Sequence, residues 1–106
     1  MTLRLRTATM ILLAASLAVP AFAQAPGADT YKAKCAMCHG ADGLAATPMA
    51  KNLKVLSFKD SAMVKASDAQ FIANTTNGKG KMPAYKGKLT DPQIKDVITY
   101  IRTLQK

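Results

Sequence analysis

The chain has 106 residues, with 15 Lys or Arg against 6 Asp and a formal net charge of +9, so a single basic domain is expected. It contains two Cys and one His in all, which is too few for a four-ligand zinc site of Cys and His. The basic residues are not interleaved with aromatic side chains, so a nucleic-acid-binding protein is a poor fit.

The first 23 residues carry the three parts of a secretory signal peptide. Arg4 and Arg6 give a positive start, an apolar run covers residues 8–19, and Ala21-Phe22-Ala23 matches the small-x-small pattern of a cleavage site. The run is shorter than the roughly 20 residues that cross a bilayer. We therefore expect cleavage near Ala23 and a periplasmic domain, while cleavage at Ala25 and an uncleaved membrane anchor stay open.

The domain left after cleavage, residues 24–106, is small. It has 83 residues, 13 basic side chains against 6 Asp, and a net charge of about +7. A core of this size often needs a metal, a disulfide or a cofactor to hold its fold. The charge indicates either a solvated, lysine-rich surface or attraction to an acidic protein partner or an anionic membrane surface.

Helical patterns begin early in this domain. Asp29 can cap a helix that we place to about Met37, and residues 40–48 form a loop with glycine and proline breakers. The middle section beyond the loop does not reveal its helix boundaries. It holds three apolar anchors, namely Leu53, Leu56 and Phe58.

Two later helices begin with the same signal. Ser67-x-x-Gln70 and Thr90-x-x-Gln93 both fit the capping box, in which a hydroxyl and an amide satisfy backbone N–H groups reciprocally. Pro92 lies in the first turn of the second helix, where its missing N–H costs nothing. No alternating strand pattern of useful length occurs, so the predicted fold class is all-α. The apolar stripe of the last helix is Ile94, Val97, Ile98, Ile101 and Leu104.

Cys35-Ala36-Met37-Cys38-His39 is the C-x-x-C-H pattern of covalent haem attachment. Residues three apart on a helical turn share a face, so both thiols can reach one porphyrin edge and add to its two vinyl groups. His39 can then bring its imidazole to the iron. Its other ring nitrogen needs an acceptor, and the carbonyl of Pro48 is the natural candidate. We expect several short helices around one covalently bound haem c.

Three other interpretations of the cysteine pair explain less. A structural disulfide is plausible in an exported protein but gives no role to the adjacent His39. A thioredoxin-like redox pair needs a βαβ context, which the helical pattern does not offer. A zinc site lacks its fourth ligand.

The second axial position cannot be filled by another His, which leaves Met, Lys, water or nothing. Met37 lies inside the attachment turn, Met49 follows the His by only ten residues, and Met63 lies in the middle section, where Met is most often core filler. Met82 lies in the glycine-rich loop 77–83, and glycine lets the backbone approach a flat ligand. We predict Met82 as the ligand. A six-coordinate iron has no open position, which favours electron transfer over catalysis.

These residues resemble the class I cytochromes c, in particular the short bacterial respiratory and photosynthetic carriers. The resemblance implies His39 and Met82 as axial ligands, and a close crossing of the first and last helices at Gly27 and Tyr31 against Tyr100. It leaves Lys51, Asn52 and Tyr85 as unranked candidates for contact with the haem propionates. The resemblance rests on three motifs that occur in this order, namely Cys35-Ala-Met-Cys38-His39-Gly40, Gly78-Lys-Gly-Lys-Met82-Pro83-Ala-Tyr85, and Leu89-Thr90-Asp-Pro-Gln93 leading into Val97-Ile-Thr-Tyr100-Ile101.

The resemblance also implies a function. It indicates a monomeric electron shuttle, not an enzyme, that accepts one electron from a reductase or dehydrogenase and passes it to a terminal oxidase or another cytochrome. Membrane contact would be transient, through membrane-bound partners. A haem enzyme or sensor with an open distal side, and a haem-carrying subunit of a larger complex, are the alternatives. Acidic partners would be steered by the lysines near Met82, namely Lys79, Lys81, Lys86 and Lys88.

Overall fold

The computed structural model describes residues 14–16 and 25–106, and this part of the chain is all-α, as predicted. Two isolated bridges, Lys79 with Met82 and Lys86 with Leu89, are its only β-type pairings. The predicted signal peptide, apart from residues 14–16, lies outside the described residues. None of the described helices is long and apolar enough to cross a membrane. The helices are α1 (Ala28–Lys34), α2 (Ala36–His39), α3 (Pro48–Leu53), α4 (Ser61–Lys65), α5 (Asp68–Asn77) and α6 (Asp91–Leu104).

Helices α1 and α6 cross in close contact at Gly27. A Cβ on this residue would lie 2.3 Å from the Asp96 carbonyl oxygen and 2.7 Å from the Val97 nitrogen, so no side chain fits between the two backbones. Gly27 also has a φ of +86°, in the left-handed region that glycine adopts without strain. One turn later, the rings of Tyr31 and Tyr100 pack with centroids 5.2 Å apart. The predicted crossing is confirmed.

The apolar stripe of α6 supplies much of the core. Its start is fixed by the predicted capping box, in which the Thr90 hydroxyl accepts from the Gln93 N–H and the Gln93 side chain accepts from the Thr90 N–H. At α5 half of the predicted box is present, because the Ser67 hydroxyl accepts from the Gln70 N–H at 3.1 Å. Of the stripe, Leu104 is partly buried and the others are fully buried, namely Ile94, Val97, Ile98 and Ile101.

Arg102 fastens α6 to the chain between α4 and α5. Its guanidinium donates to the Ala66 carbonyl at 2.5 Å and to the Asp68 carboxylate at 2.8 Å. The same group lies 4.6 Å from the centroid of the Phe71 ring. These contacts hold α5 against the C-terminal half of α6.

Two predicted boundaries were wrong. The first predicted helix is divided at Cys35, whose φ of −116° interrupts the helical backbone, so a separate short helix, α2, carries the chain to His39. Pro48 was predicted to lie in a loop but is the first residue of α3. Thr47 caps that helix by accepting from the Ala50 N–H at 3.0 Å, and proline fits at a first helical position because no bond to its nitrogen is needed there.

Candidate functional site

A cavity of about 410 Å³ lies between α2, residues 53–56 and the loop 78–85. This volume is within the range of about 300–1,000 Å³ that is typical of ligand pockets. A second lobe of about 240 Å³ extends from it into the core, where it meets Phe58, Phe71 and Ile101. The cavity therefore runs from the protein surface to the packed interior. Its apolar lining includes Leu53, Val55, Leu56, Met63 and Pro83.

All four side chains predicted as cofactor-binding line this cavity, namely Cys35, Cys38, His39 and Met82. Three of them come from α2 and the residue before it, because the short helix turns both thiols and the imidazole toward one space. Met82 comes from the loop after α5, on a distant part of the chain. The tertiary structure thus brings the two motifs together around one cavity.

The two cysteines are free thiols, so the alternative of a structural disulfide is not realised. Cys35 is buried, and burial, with the nearby Cys38 as a lesser cause, raises its pKa to about 11. Cys38 is partly buried, and its sulfur lies 3.5 Å from the sulfur of Met49.

The imidazole of His39 lies stacked on the Phe58 ring, with centroids 4.6 Å apart and planes 18° apart. Burial lowers the pKa of His39, which favours the neutral ring that binds metals. Its Nδ1 is buried and has no hydrogen-bond partner among the described residues, so the predicted bond to Pro48 is not formed. Pro48 begins α3, and the carbonyl of a helical residue is directed along its helix toward the next turn.

Met82 is held in a tight loop. Lys79 and Met82 exchange two backbone hydrogen bonds, of 3.1 Å and 2.9 Å. Gly78 has a φ of +77°, and a Cβ there would lie 2.9 Å from both the Met82 carbonyl oxygen and the Ala84 nitrogen. Glycine is therefore required at position 78 for the loop to close in this form.

The other three methionines considered as ligands differ in location. Met63 lines the cavity and its second lobe, and it packs against the hydrophobic cluster. Met37 and Met49 are 72% and 42% exposed and do not line the cavity. Only Met63 and Met82 are therefore in a position to meet a group bound there.

Tyr85 is the only one of the three candidates for propionate contact that lines the cavity. Lys51 and Asn52 are exposed on α3 and are not among the lining residues. The Tyr85 hydroxyl donates to the carbonyl oxygen of Lys34 at 2.9 Å. Burial, followed by the charges of the two cysteines, raises the pKa of Tyr85, so this hydroxyl remains a donor over the neutral pH range.

Lysines surround the cavity, and no acidic residue lines it in the described part of the chain. Four lysines were predicted to form a positive rim. Of these, Lys79 and Lys81 line the cavity, whereas Lys86 and Lys88 do not. Sequence reasoning missed two further lysines on the rim, Lys34 and Lys54. The position of Lys34 directly before Cys35 was the available signal.

Asn74 was also missed. It lines both the cavity and its second lobe, as His39 and Met82 do. It lies three residues after the buried Phe71, and residues three apart share a helix face. That periodicity was the signal that could have found it.

The residues around the cavity can hold a covalently attached haem. Two cysteine side chains stand at helical spacing beside an imidazole that burial, by lowering its pKa, keeps neutral. A thioether is available from a separate loop, and the walls are largely apolar. These are the donor types that c-type haem iron and its thioether links require.

Comparison with known proteins gives the family. Residues 22–101 match the family model described as cytochrome c oxidase, cbb3-type, subunit III. A cytochrome c6 of Leptolyngbya boryana is 40% identical over 80 residues, which cover 73% of this chain and 87% of that protein. A cytochrome c6 of a Picosynechococcus species is 34% identical over 102 residues, covering 88% and 85%. The solved structure of the c-type cytochrome KustC0563 matches with a TM-score of 0.69 at 30% identity, covering 76% of this chain and 98% of that one.

The chain therefore belongs to the c-type cytochromes and, within them, to the small monohaem class I cytochromes c. Its cofactor is a covalently bound c-type haem with its iron, and its function is electron transfer. The resemblance predicted from the three motifs is confirmed.

Proposed function

We propose that this protein is a periplasmic one-electron shuttle, in which Cys35 and Cys38 attach the haem and His39 and Met82 bind its iron. The observation that carries the proposal is that these four side chains line one largely apolar cavity. The haem, when bound, supplies reversible one-electron chemistry at its iron. The chain attaches it, orients it and shields it from water.

Met82 is preferred to Met63 as the second ligand because of its surroundings. Met63 packs against the hydrophobic cluster, the ordinary role of a methionine in a core. Met82 lies in a loop closed by its backbone bonds to Lys79, and it does not belong to that cluster. A thioether opposite an imidazole also raises the reduction potential of the iron.

Two axial protein ligands support a carrier that is not an enzyme. They leave no open position for oxygen or peroxide, and His39 is the only histidine in the chain, so no second imidazole can assist peroxide chemistry. The test is whether the ferrous protein binds carbon monoxide at neutral pH. No binding is expected; rapid binding would favour a haem enzyme or sensor instead.

The ligand set is tested by optical spectra of the ferric and ferrous holoprotein before and after extraction with acidic acetone. Haem that stays with the protein after extraction is expected for thioether attachment. Met82→Ala should abolish the weak ferric band at the red end of the spectrum that a thioether ligand gives. Met63→Ala is the matched control, since Met63 lines the same cavity, and it should keep the band. A band that is lost in Met63→Ala and kept in Met82→Ala would assign the second axial position to Met63.

We propose that the electron-transfer partner presents an acidic surface. Lys34, Lys54, Lys79 and Lys81 line the cavity and are exposed, so the haem would be approached through a positive rim. Rates of encounter between opposite charges fall as salt screens them. Lys54→Gln should slow electron transfer at low ionic strength and flatten its salt dependence. Lys95→Gln, an exposed position on α6, is the control and should change the rate and its salt dependence little. An electron-transfer rate of the unaltered protein that does not depend on salt would contradict an acidic partner surface.

Export is proposed from the sequence pattern of residues 1–23. The mass of the protein purified from a periplasmic fraction should correspond to a chain that begins at residue 24, or at 26 if cleavage follows Ala25. Retention of the first 23 residues in a membrane fraction would instead support an uncleaved anchor.

A haem-carrying subunit is the second candidate, because the matching family model is described as subunit III of a cbb3-type oxidase. Native size measurement of the protein in a gentle extract separates the two. A free monomer of the cytochrome supports the shuttle, whereas co-purification with an oxidase supports the subunit.

A further inference from the structure

Tyr85 lies in the same loop as Met82, three residues further along, and its side chain reaches the end of α1. Its hydroxyl donates to the carbonyl oxygen of Lys34, at 2.9 Å and across 51 residues of sequence. Lys34 is the last residue of α1 and directly precedes Cys35. This bond therefore joins the loop that carries one proposed ligand to the segment that begins the attachment turn.

The carbonyl of Lys34 is available because α1 ends at that residue. The last carbonyls of a helix have no N–H partner within the helix. The interruption at Cys35 prevents the helical series from continuing unbroken into α2. The hydroxyl of Tyr85 donates to this carbonyl, so the bond satisfies an acceptor that the break in the helix leaves without a helical partner.

The backbone of Tyr85 is held independently of its hydroxyl. Its N–H donates to the Thr75 carbonyl at 3.0 Å, which ties the loop to the last turns of α5. Its carbonyl accepts from the N–H groups of Lys88 and Leu89, both at 2.9 Å. Removing the hydroxyl alone therefore leaves the loop attached to α5 and releases it from α1.

We propose that Tyr85 is a positioning residue that latches the loop 78–85 onto the end of α1 and so keeps Met82 at the cavity. The inference rests on the proposed function, in which Met82 binds the iron. A latched loop resists replacement of that ligand by an outside molecule. The latch itself is a contact within the chain and can be measured without reference to the iron.

The test compares Tyr85→Phe with Tyr100→Phe in the holoprotein. Tyr100 is also a partly buried tyrosine, it lies at the helix crossing, and its hydroxyl makes no hydrogen bond within residues 25–106. Amide hydrogen exchange is followed at Met82 and Lys86 in the loop region and at Ile98 in α6. The rate at which imidazole binds to the ferric protein is the second readout.

Tyr85→Phe is expected to speed exchange at the loop amides by roughly twofold to tenfold, which corresponds to the loss of one net hydrogen bond. Imidazole binding should speed up by a similar factor, because it requires the loop to open. Exchange at Ile98 should not change, and Tyr100→Phe should leave the loop rates and imidazole binding as they are in the unaltered protein.

Three results would overturn the proposal. Unchanged loop exchange in Tyr85→Phe would mean that the hydroxyl does not hold the loop. Equal acceleration at Ile98 would mean a general loss of stability. Faster loop exchange with unchanged imidazole binding, in a protein whose red-end band depends on Met82, would mean that the latch does not position the ligand.

Failure of the proposed ligand set looks different. An unaltered protein whose red-end band does not depend on Met82, but whose loop exchange still accelerates in Tyr85→Phe, would uphold the latch on the loop and refute Met82 as the ligand.

Discussion

Where α1 crosses α6, the backbones come so close at Gly27 that a Cβ would lie 2.3 Å from the Asp96 carbonyl oxygen. Elsewhere in the molecule, short helices and a loop enclose a cavity of about 410 Å³. Tyr31 and Val97 at the crossing are each 1% exposed, whereas Leu56 on the cavity wall is 51% exposed. The crossing is packed by the chain itself, while the cavity wall leaves apolar side chains exposed that would contact the haem of the proposed function.

The largest expected effect is that of preventing attachment. The double variant Cys35→Ala, Cys38→Ala should lose most of its helical circular dichroism, because a core of this size without its cofactor buries too little apolar surface. Met37→Ala, an exposed side chain in the same turn, is the control and should retain haem and helix. Native-level helicity in the double variant without haem would mean that the crossing alone sustains the fold.

The second effect lies at the crossing. Gly27→Ala should destabilise the holoprotein by about 3 kcal/mol or more, from the backbone clash and the left-handed φ together. The measurement is guanidinium unfolding followed by circular dichroism. Gly87→Ala is the matched control, because Gly87 has a φ of +79° and no atom within 4 Å of its Cβ position. It should lose only the left-handed strain, about 1–2 kcal/mol, and equal losses would contradict the close crossing.

The third effect concerns the link between the two regions. Arg102→Met keeps much of the stem but loses the bonds to Ala66, Asp68 and Gln105, and it should lower the free energy of unfolding by about 2 kcal/mol. Asp68→Asn removes only the ion pair with a largely exposed carboxylate, and should change stability by less than about 0.5 kcal/mol. If both variants lose the same amount, the bond to the Ala66 carbonyl contributes nothing and the link is the ion pair alone.

The smallest effect is local to α6. Thr90→Ala removes the capping box and should destabilise the protein by about 1 kcal/mol in the same unfolding experiment. Thr99→Ala is the control, since its exposed hydroxyl only bonds back to the Lys95 carbonyl within the helix and such bonds do not stabilise helices. A loss at Thr99 as large as that at Thr90 would mean that the cap has no special role.

The elements that sequence reasoning predicted well are those governed by neighbours in the chain. The Thr90 cap, Pro92 in the first turn and the stripe from Ile94 to Leu104 follow from helix geometry alone, and all are present in α6. The division at Cys35 and the start of α3 at Pro48 were missed. A proline can end one helix or begin the next, and the sequence around Cys35 carries no breaker that would indicate an interruption.

At the site, sequence spacing was sufficient to group Cys35, Cys38 and His39, because three residues on one turn share a face whatever surrounds them. Sequence order could not place Lys34 and Lys54 beside Met82, nor pair Tyr85 with the Lys34 carbonyl. Nor could it foresee that Pro48 would not accept from His39, since the direction of that carbonyl depends on where α3 begins.

The sequence by itself determined the family, the turn that groups the two cysteines with His39, and the last helix, because motifs and periodic patterns act over a few residues and survive any arrangement of the rest. Only the tertiary structure decided which residues surround the cavity, how the loop 78–85 is tied to α1 and which lysines form the rim. Those contacts join segments far apart in sequence, and their distances depend on how the helices cross, which Gly27 and Tyr31 fix at the contact of α1 with α6.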